Sequence, residues 1–431
     1  MKKDLEQIFD RLWPICRSIT GEGIRDSLKI IKEYIPLKIF SKPSGEGVFD
    51  WTIPKEWIIK EGYLKGPDGK KYCEFKKSNL SIINYSSPID SYLELNELKD
   101  HIYTIKNLPN AIPYVTSYYQ SNWGFCLKHD DYIKLPKKGK YHCFIDSSFI
   151  NGSLNYGQFL LDGGLNKKEI LLSSYLCHPS MANNELSGPL VLIGLFKKIQ
   201  KWKCRRFNYR FYIGPETIGS LCFLSDFGDL LKRQNIMGLV LTCLGGKNED
   251  LSVKLPRDTN SFGYKYLSSI RDFRKRVFTP DGGSDERQFC SPGFNLPIAN
   301  ICRDVYGEYK EYHNSLDNKE FMGIDSLISS INRLENLLLD FESEYPFERY
   351  EPRGEPQLGK RNLYPNINSQ QTWEASADNI FDGKDLRKSL MWILSYADGS
   401  HSLQDIHSLS GCNKESLKYA SNLLLENRLI Y

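Results

Sequence analysis

Four short segments of the 431-residue chain carry the side chains able to do chemistry. The first runs Leu171-Leu-Ser-Ser-Tyr-Leu-Cys-His178-Pro-Ser-Met-Ala-Asn-Asn184-Glu-Leu-Ser-Gly188. An apolar run ends in a histidine, a polar loop follows, and Ser187-Gly188 opens a second apolar run, Pro189–Phe196. This pattern predicts a buried strand that delivers His178 to its carboxyl end, then a helix packed back on the sheet. In open α/β sheets ligands gather at that edge, so His178 is a candidate metal ligand. The second segment, Phe211-Tyr-Ile-Gly-Pro-Glu216-Thr-Ile-Gly219-Ser220, puts a glutamate at the tip of another strand. The third is Asp281-Gly-Gly-Ser284-Asp285-Glu286-Arg287-Gln-Phe289, and the fourth Glu308-Tyr-Lys-Glu311-Tyr312-His313-Asn-Ser315-Leu-Asp317.

Taken singly, each segment has a structural alternative. His178 could be a hydrogen-bonded core histidine and His313 a surface one. Glu216 could be a carboxylate stabilised by the dipole of the helix it opens, and Ser284-Asp285 a turn and helix cap. Arg257, Arg287 and Arg303 could grip a substrate carboxylate bidentately or serve as ion-pair partners. Glu308 and Glu311 read as solvated.

The elements that must position these residues follow from hydrophobic period and turn chemistry. Helical spacing covers residues 3–18; Gly21-Glu-Gly23 breaks it, and a second helix runs over 24–35. From Phe40 to about Leu127, turn signals such as Gly66-Pro-Asp-Gly69 separate short aromatic-rich runs, which predicts a β-rich insert. Its Trp51, Trp57, Tyr114, Tyr118, Tyr119 and Trp123 could build its own core, a lid over the site or a dimer surface. Later, strands at 141–147, 157–162, 169–176, 207–214, 237–243 and 297–302 alternate with helices at 189–202, 216–230, 260–274 and 323–343. The alternation predicts an α/β fold with a mixed, mainly parallel sheet and helices on both faces. A Pro/Gly/Arg/Asn-rich linker lies between Pro346 and Pro365. Three helix signals follow, 384–397, 402–410 and 413–427, with Ser402 and Asn413 as N-caps and Gly411 in the turn, a helix-turn-helix pattern. The expected division is a core of 1–39 and 131–350, an insert of 40–130, and a winged-helix-like domain of 367–431.

Composition narrows the function classes. Fifty-seven basic residues against 53 acidic ones, net +4, imply no nucleic-acid or membrane field. No apolar run approaches the ~20 residues that span a bilayer, and Met1-Lys-Lys-Asp-Leu-Glu-Gln lacks a signal-peptide core. Eleven scattered cysteines, mostly inside apolar runs and without a CxxC pair, read as reduced thiols of a cytoplasmic protein. Over residues 384–431, six positive side chains face five negative ones. A DNA-reading module carries a clear basic excess, and Arg428-Leu-Ile-Tyr431 stands where a wing would begin. The module therefore reads as a protein-association element, and the insert or this module could support a homo-oligomer.

The order His, strand-end Glu, Gly-Ser-Asp, His-x-x-x-Asp resembles the zinc aminopeptidases built on an α/β sheet. More closely, Cys177-His-Pro-Ser, Thr217-Ile-Gly-Ser, Gly283-Ser-Asp-Glu-Arg-Gln and Tyr312-His-x-Ser-Leu-Asp317 are similar to a bacterial aminopeptidase-like family of poorly defined function. That family joins a peptidase fold to an inserted domain and a C-terminal winged helix, often among polysaccharide-biosynthesis genes. The resemblance covers essentially the whole chain. It implies that His178 and His313 are zinc ligands, with Asn184 at the clan's bridging-aspartate position, and that Glu216 is the general base. Asp285, Glu286, Arg303 and Asp317 would orient ligands and loops or meet substrate.

Several positions depart from the clan. Asn184 replaces the bridging aspartate, Thr217 the second glutamate and Ser180 the aspartate two residues after the first histidine, and the strand Leu239-Val-Leu-Thr-Cys243-Leu-Gly-Gly has no carboxylate where a ligating aspartate should end it. Glu185, one residue beyond Asn184, is expected to point away from the site. Two zinc ions would need about five ligands, so the expectation is one zinc rather than two. The implied function is metal-dependent hydrolysis of an amide bond in a small peptide or an aminoacyl or acyl-amino compound. The rivals are a degenerate peptidase-fold binding protein without catalytic metal and a DNA-binding regulator.

Overall fold

The structure, a computed structural model, describes residues 1–363 and 383–431. It divides into two units. The first comprises residues 1–161, 169–200 and 209–332; the second comprises 162–168, 201–208 and 333–431. The expected start of the C-terminal domain at 367 and the linker's end at Pro365 lie outside the described residues.

The first unit is built on an eight-stranded sheet: β1 (Lys38–Pro43), β2 (Ser153–Leu161), β3 (Glu169–Tyr175), β4 (Asn208–Gly214), β5 (Asn235–Leu241), β6 (Leu251–Lys254), β7 (Phe273–Arg276) and β8 (Ile298–Cys302), in the order β1-β2-β4-β3-β5-β8-β6-β7. Strands β3, β5 and β8 run parallel. Strand β4 joins them in the same direction, because Glu169 meets Arg210 at one end and the Leu176 N–H donates to Gly214 O at the other. Antiparallel pairs β1/β2, β2/β4 and β6/β8 flank this parallel centre. All seven residues of β3 and of β4 are buried, as a sheet covered on both faces requires.

Successive side chains of a strand point to opposite faces, and Phe211 and Tyr212 show where the helices lie. Phe211 packs on Phe196 of the helix Ser187–Ile199, and Tyr212 on Phe223 of the helix Ile218–Gln234. The two helices therefore cover opposite faces. Arg210 and Glu169 form a bidentate pair at 2.7 and 2.8 Å inside this core, completed by Gln158 at 2.7 Å.

Some elements differ from the sequence pattern. The segment 140–150, assigned by alternation to the core, is the longest strand of the insert. It sits in a separate four-stranded sheet between Glu56–Lys65 and Ile89–Glu94, with Lys71–Glu74 at the edge. Alternation reports one buried face and not which sheet buries it. The helix expected over 260–274 stops at Ser269, and Phe273–Arg276 is strand β7. The partners that hold β7 are Leu251–Lys254 and the Arg276 bonds to Ser252 Oγ (2.7 Å) and Asn300 Oδ1 (3.0 Å), all distant in sequence. The first helix ends at Leu12, just before Pro14.

In the second unit, helices Gly383–Tyr396, Leu403–Ser410 and Lys414–Glu426 enclose Leu390, Ile393, Ile406, Leu417 and Leu424. Ser402 caps the second helix in a capping box with Asp405, Asn413 caps the third, and Gly411 turns between them at φ 64°. Bridges Arg349–Ile430 and Glu348–Asp398 tie the segment after the long helix Ile324–Glu344 to this bundle.

Gly188, at the start of the helix that follows the His178 loop, lies against Ser174 Oγ and Leu241 O, where a Cβ would collide with both. Gly188→Ala should therefore destabilise the protein by about 1–3 kcal/mol in denaturant unfolding.

Candidate active site

The parallel centre of the sheet places three loops at one edge, since the carboxyl ends of β3, β4 and β5 lead to His178, Glu216 and Cys243. The fourth loop carries His313. Backbone strain concentrates here. Nine non-glycine residues have positive φ among the described residues, and four of them are Ser180, Thr217, Cys243 and His313. Such conformations cost about 1–3 kcal/mol each and persist only where surrounding bonds hold them.

His178 lies at the centre. Its Nδ1 is 2.8 Å from Glu185 Oε2, and its backbone N–H donates to Glu185 Oε1 at 2.8 Å. Its Nε2 faces Glu216 Oε2 at 3.9 Å, and its ring centroid is 5.3 Å from that of His313. Glu185 was expected to point elsewhere, and the structure corrects this. Residues Ala182–Leu186 form a π-helical turn, whose wider winding swings position 185 inward to His178.

The loops that present these groups are clamped by buried carboxylates. Asp317 accepts the N–H groups of Asn183 at 2.6 Å and Asn184 at 2.8 Å, and its carbonyl accepts that of Ala182. Asp285 accepts the Thr217 N–H at 2.7 Å and the Ser220 hydroxyl at 3.1 Å, fixing the strained turn that carries Glu216. Ser284 donates to Glu216 Oε1 at 2.6 Å. Glu286 accepts the Ser284 N–H at 2.9 Å and pairs with buried Lys254 at 3.1 Å, so it supports the loop from beneath.

Asn184 is buried, and its Nδ2 donates to the Tyr175 hydroxyl at 2.9 Å while, among the described residues, its Oδ1 accepts no hydrogen bond. Arg303 bonds the Ser330 hydroxyl at 3.1 Å and the carbonyls of Asn248, Glu249 and Ser326, so it holds loops together. Arg257 likewise bonds Asn295 Oδ1 at 2.8 Å.

The insert contributes directly. Tyr114 stands edge-on to both imidazoles, with centroids 5.1 Å from His178 and 5.4 Å from His313. Its hydroxyl bonds that of Tyr118 at 2.7 Å, and its N–H donates to the carbonyl of strained His313 at 2.9 Å. Ser315 and Ile112 exchange two more bonds at 2.9 Å, so the insert pins the loop that carries His313. Among its aromatics, Tyr114 packs on both imidazoles, whereas Trp57 joins the core cluster and Trp123 packs within the insert.

Charge is distributed unevenly. Burial works against charge on the His178 ring, but the neighbouring Cys177 sulfur and Glu185 carboxylate outweigh it and raise its pKa well above the usual imidazole value. Burial, reinforced by the His178 charge, lowers His313 to about 3, so it stays neutral. Burial raises Glu216 despite His178 and Ser284, although its side chain keeps 29% exposure. Burial and the Glu216 charge raise Asp285 well above the carboxylate range, and burial lifts Asp317 to about 7.

Among the described residues, one group of three metal-binding side chains has its ligand atoms within 4.8 Å of one another: Cys177, His178 and Glu185. It offers no open position, because both Glu185 oxygens already accept hydrogen bonds and burial pushes the Cys177 thiol up to about 11. The inward turn of Glu185 has no signal in the sequence, since the π-turn is set by tertiary contacts, and the sequence offers Tyr114 only as one of six insert aromatics.

A parallel sheet centre with two imidazoles and a partly exposed glutamate at one edge is the setting of an aminopeptidase-like α/β fold, which known structures share. The structure superposes on BSAP, a zinc aminopeptidase from Bacillus subtilis, with TM-score 0.55 and 13% identity, covering 78% of this chain and 93% of that one. A peptidase M28 precursor from Shewanella amazonensis matches with TM-score 0.54 at 10% identity, covering 78% and 91%. A crystal structure from Clostridium acetobutylicum, described as a peptidase, matches with TM-score 0.81 at 36% identity over 100% of this chain and 96% of that one. The chain belongs to the family of the domain of unknown function DUF4910, which matches residues 6–344, followed by a winged helix-turn-helix over 346–431. A Clostridium acetobutylicum relative, 39% identical over 99% of this chain and 96% of its own length, is named a polysaccharide biosynthesis protein with an aminopeptidase-like domain. Among the described residues, no helix is long and apolar enough to cross a membrane.

Removing the Asp317 carboxylate would strand two buried backbone N–H groups at about 1–3 kcal/mol each. Asp317→Ala should lower stability by about that sum, and amide hydrogen exchange should quicken at Asn183 and Asn184 before the core strands open.

Proposed function

We propose that the protein is a metal-dependent hydrolase of an amide bond in a small peptide or an aminoacyl or acyl-amino compound, with a single zinc ion. The observation that carries the proposal is the meeting of His178 Nε2 with Glu216 at 3.9 Å beside the His313 ring, each anchored from behind. In this reading His178 and His313 hold the metal. Asn184 stands as a third, weaker ligand through its buried and unpaired Oδ1. The donor set fits one ion: Thr217 and Cys243 occupy places where a second zinc would need carboxylates.

Zinc bound there would polarise the scissile carbonyl and acidify a water toward a pKa of about 7. Glu216 moves the proton. Its Oε1 is fixed by Ser284, which leaves Oε2, on the His178 side, to take the proton of the attacking water and return it to the leaving amine. Burial makes it a stronger base than an ordinary carboxylate. Asp285 and Asp317 keep the Glu216 and Asn184 loops in place, and Tyr114 limits the room above the imidazoles. The chemistry belongs to the core, cover to the insert, and association to the C-terminal module, in a cytoplasmic protein that needs no nucleic acid.

Protein purified without chelator should contain about one zinc per chain, and His178→Ala should lose it. Metal-free protein that takes up no zinc would favour a binding protein on a peptidase scaffold, to which Asn184, Thr217 and Cys243 point.

Glu216→Gln should keep the zinc yet slow hydrolysis of an aminoacyl amide by about 10²–10⁴-fold. Glu216 works ionised, so kcat/KM should rise as pH climbs through its pKa. Because burial raises that pKa, the acid limb should lie above the usual carboxylate value of about 4.3. The limb should be missing from the residual activity of Glu216→Gln.

A further inference from the structure

We propose that Arg17 is a positioning residue of the active site, acting through Glu185 to aim His178. Arg17 belongs to the loop between the first two helices, far from the four segments that carry the chemistry, and it is fully buried. Its Nε donates to the carbonyl of His178 at 3.1 Å and lies 3.5 Å from Glu185 Oε1. Its Nη1 donates to Leu12 O, the last carbonyl of the first helix, at 2.6 Å. Its own carbonyl accepts from Asn84 Nδ2 at 2.9 Å. Gly23 allows this close approach: a Cβ there would collide with the Cys16 carbonyl and crowd Arg17 Cα.

The chain Arg17–Glu185–His178 replaces a missing carboxylate. Ser180 stands where an aspartate would orient the first histidine, and the Ser180 hydroxyl instead receives a bond from Asn79 at 3.2 Å. Glu185 reaches Nδ1 from the opposite side of the loop, across the π-turn. A carboxylate bonded to one ring nitrogen fixes the orientation of the imidazole and leaves the other nitrogen for a ligand. A buried carboxylate without a partner charge is costly, and Arg17 places one 3.5 Å from Glu185 Oε1 while also gripping the His178 backbone. The guanidinium thereby fixes both the side chain and the main chain of the residue that turns Nε2 to the cleft. Lysine, a point charge without the planar fork, could not hold both at once.

The proposal rests on the hydrolase reading for its metal readout, and a second readout stands apart from it. Arg17→Met and Glu185→Gln should each weaken zinc binding by about 10–100-fold in competition with a chromophoric chelator. In metal-free protein, the His178 Nδ1 proton should be protected from exchange in the NMR spectrum whether the ring is neutral or charged. In Arg17→Met that protection should be lost. Should Arg17→Met fail to fold, the double variant Arg17→Met/Glu185→Gln removes both buried charges together and should show the same loss of zinc affinity. Folded Arg17→Met with wild-type zinc affinity and a protected Nδ1 proton would overturn the proposal. A wild-type chain that binds no zinc would sink the hydrolase reading alone, leaving the proton to decide the role of Arg17.

Discussion

The Glu185 carboxylate is buried where water cannot solvate it, and the rest of the site is arranged around satisfying it. Removing one partner from a buried ion pair costs about 3–5 kcal/mol, so the fold must bring donors to it from several directions. They come from the backbone and ring of His178 and from Arg17 in the N-terminal loop. Meeting this demand requires the first helix to end near β3 and the segment after β3 to wind as a π-turn. It also leaves His178 with one nitrogen turned inward and one outward. A single electrostatic constraint thus couples the N-terminal helices to the strand edge.

The same logic recurs at smaller scale. Asp317 gathers the amides of Asn183 and Asn184, and Asp285 gathers Thr217 and Ser220. Each clamp offsets a strained residue nearby, because positive φ at Thr217, Cys243 and His313 would otherwise relax. The insert belongs to this economy: its backbone bonds to the His313 loop replace solvent on one side of the site, and Tyr114 covers both imidazoles. The site combines stiff loops, a neutral His313 and a charged environment around His178, and both Glu216 and His313 stay partly exposed.

Much of this was legible in the chain. Strands β3, β4, β5 and β8 announce themselves as apolar runs bounded by turn residues, and His178 and Glu216 are found at their ends as expected. Ser402, Gly411 and Asn413 cap and turn the C-terminal helices where they were read, because capping depends on bonds within three residues. The errors have a common cause. The strand expected over 141–147 belongs to the insert's sheet, Phe273–Arg276 is strand where the pattern predicts helix, and Glu185 turns toward His178. In each case a partner distant in sequence settles the matter: Glu56–Lys65, Leu251–Lys254, and His178 with Arg17.

By itself the sequence determined the strand–loop–helix units, the edge at which the polar side chains emerge, and the residue types available there. Hydrophobic period and local turn chemistry act over a few residues, and those are properties of a short segment. The tertiary structure alone decided which of those side chains face one another. Aim depends on helical phase, on a one-residue change of winding at 182–186, and on buried charges finding partners more than a hundred residues away. Arg17 shows the difference most plainly: in the chain it is one arginine between a cysteine and a serine, and in the fold it is the counter-charge on which the orientation of His178 rests.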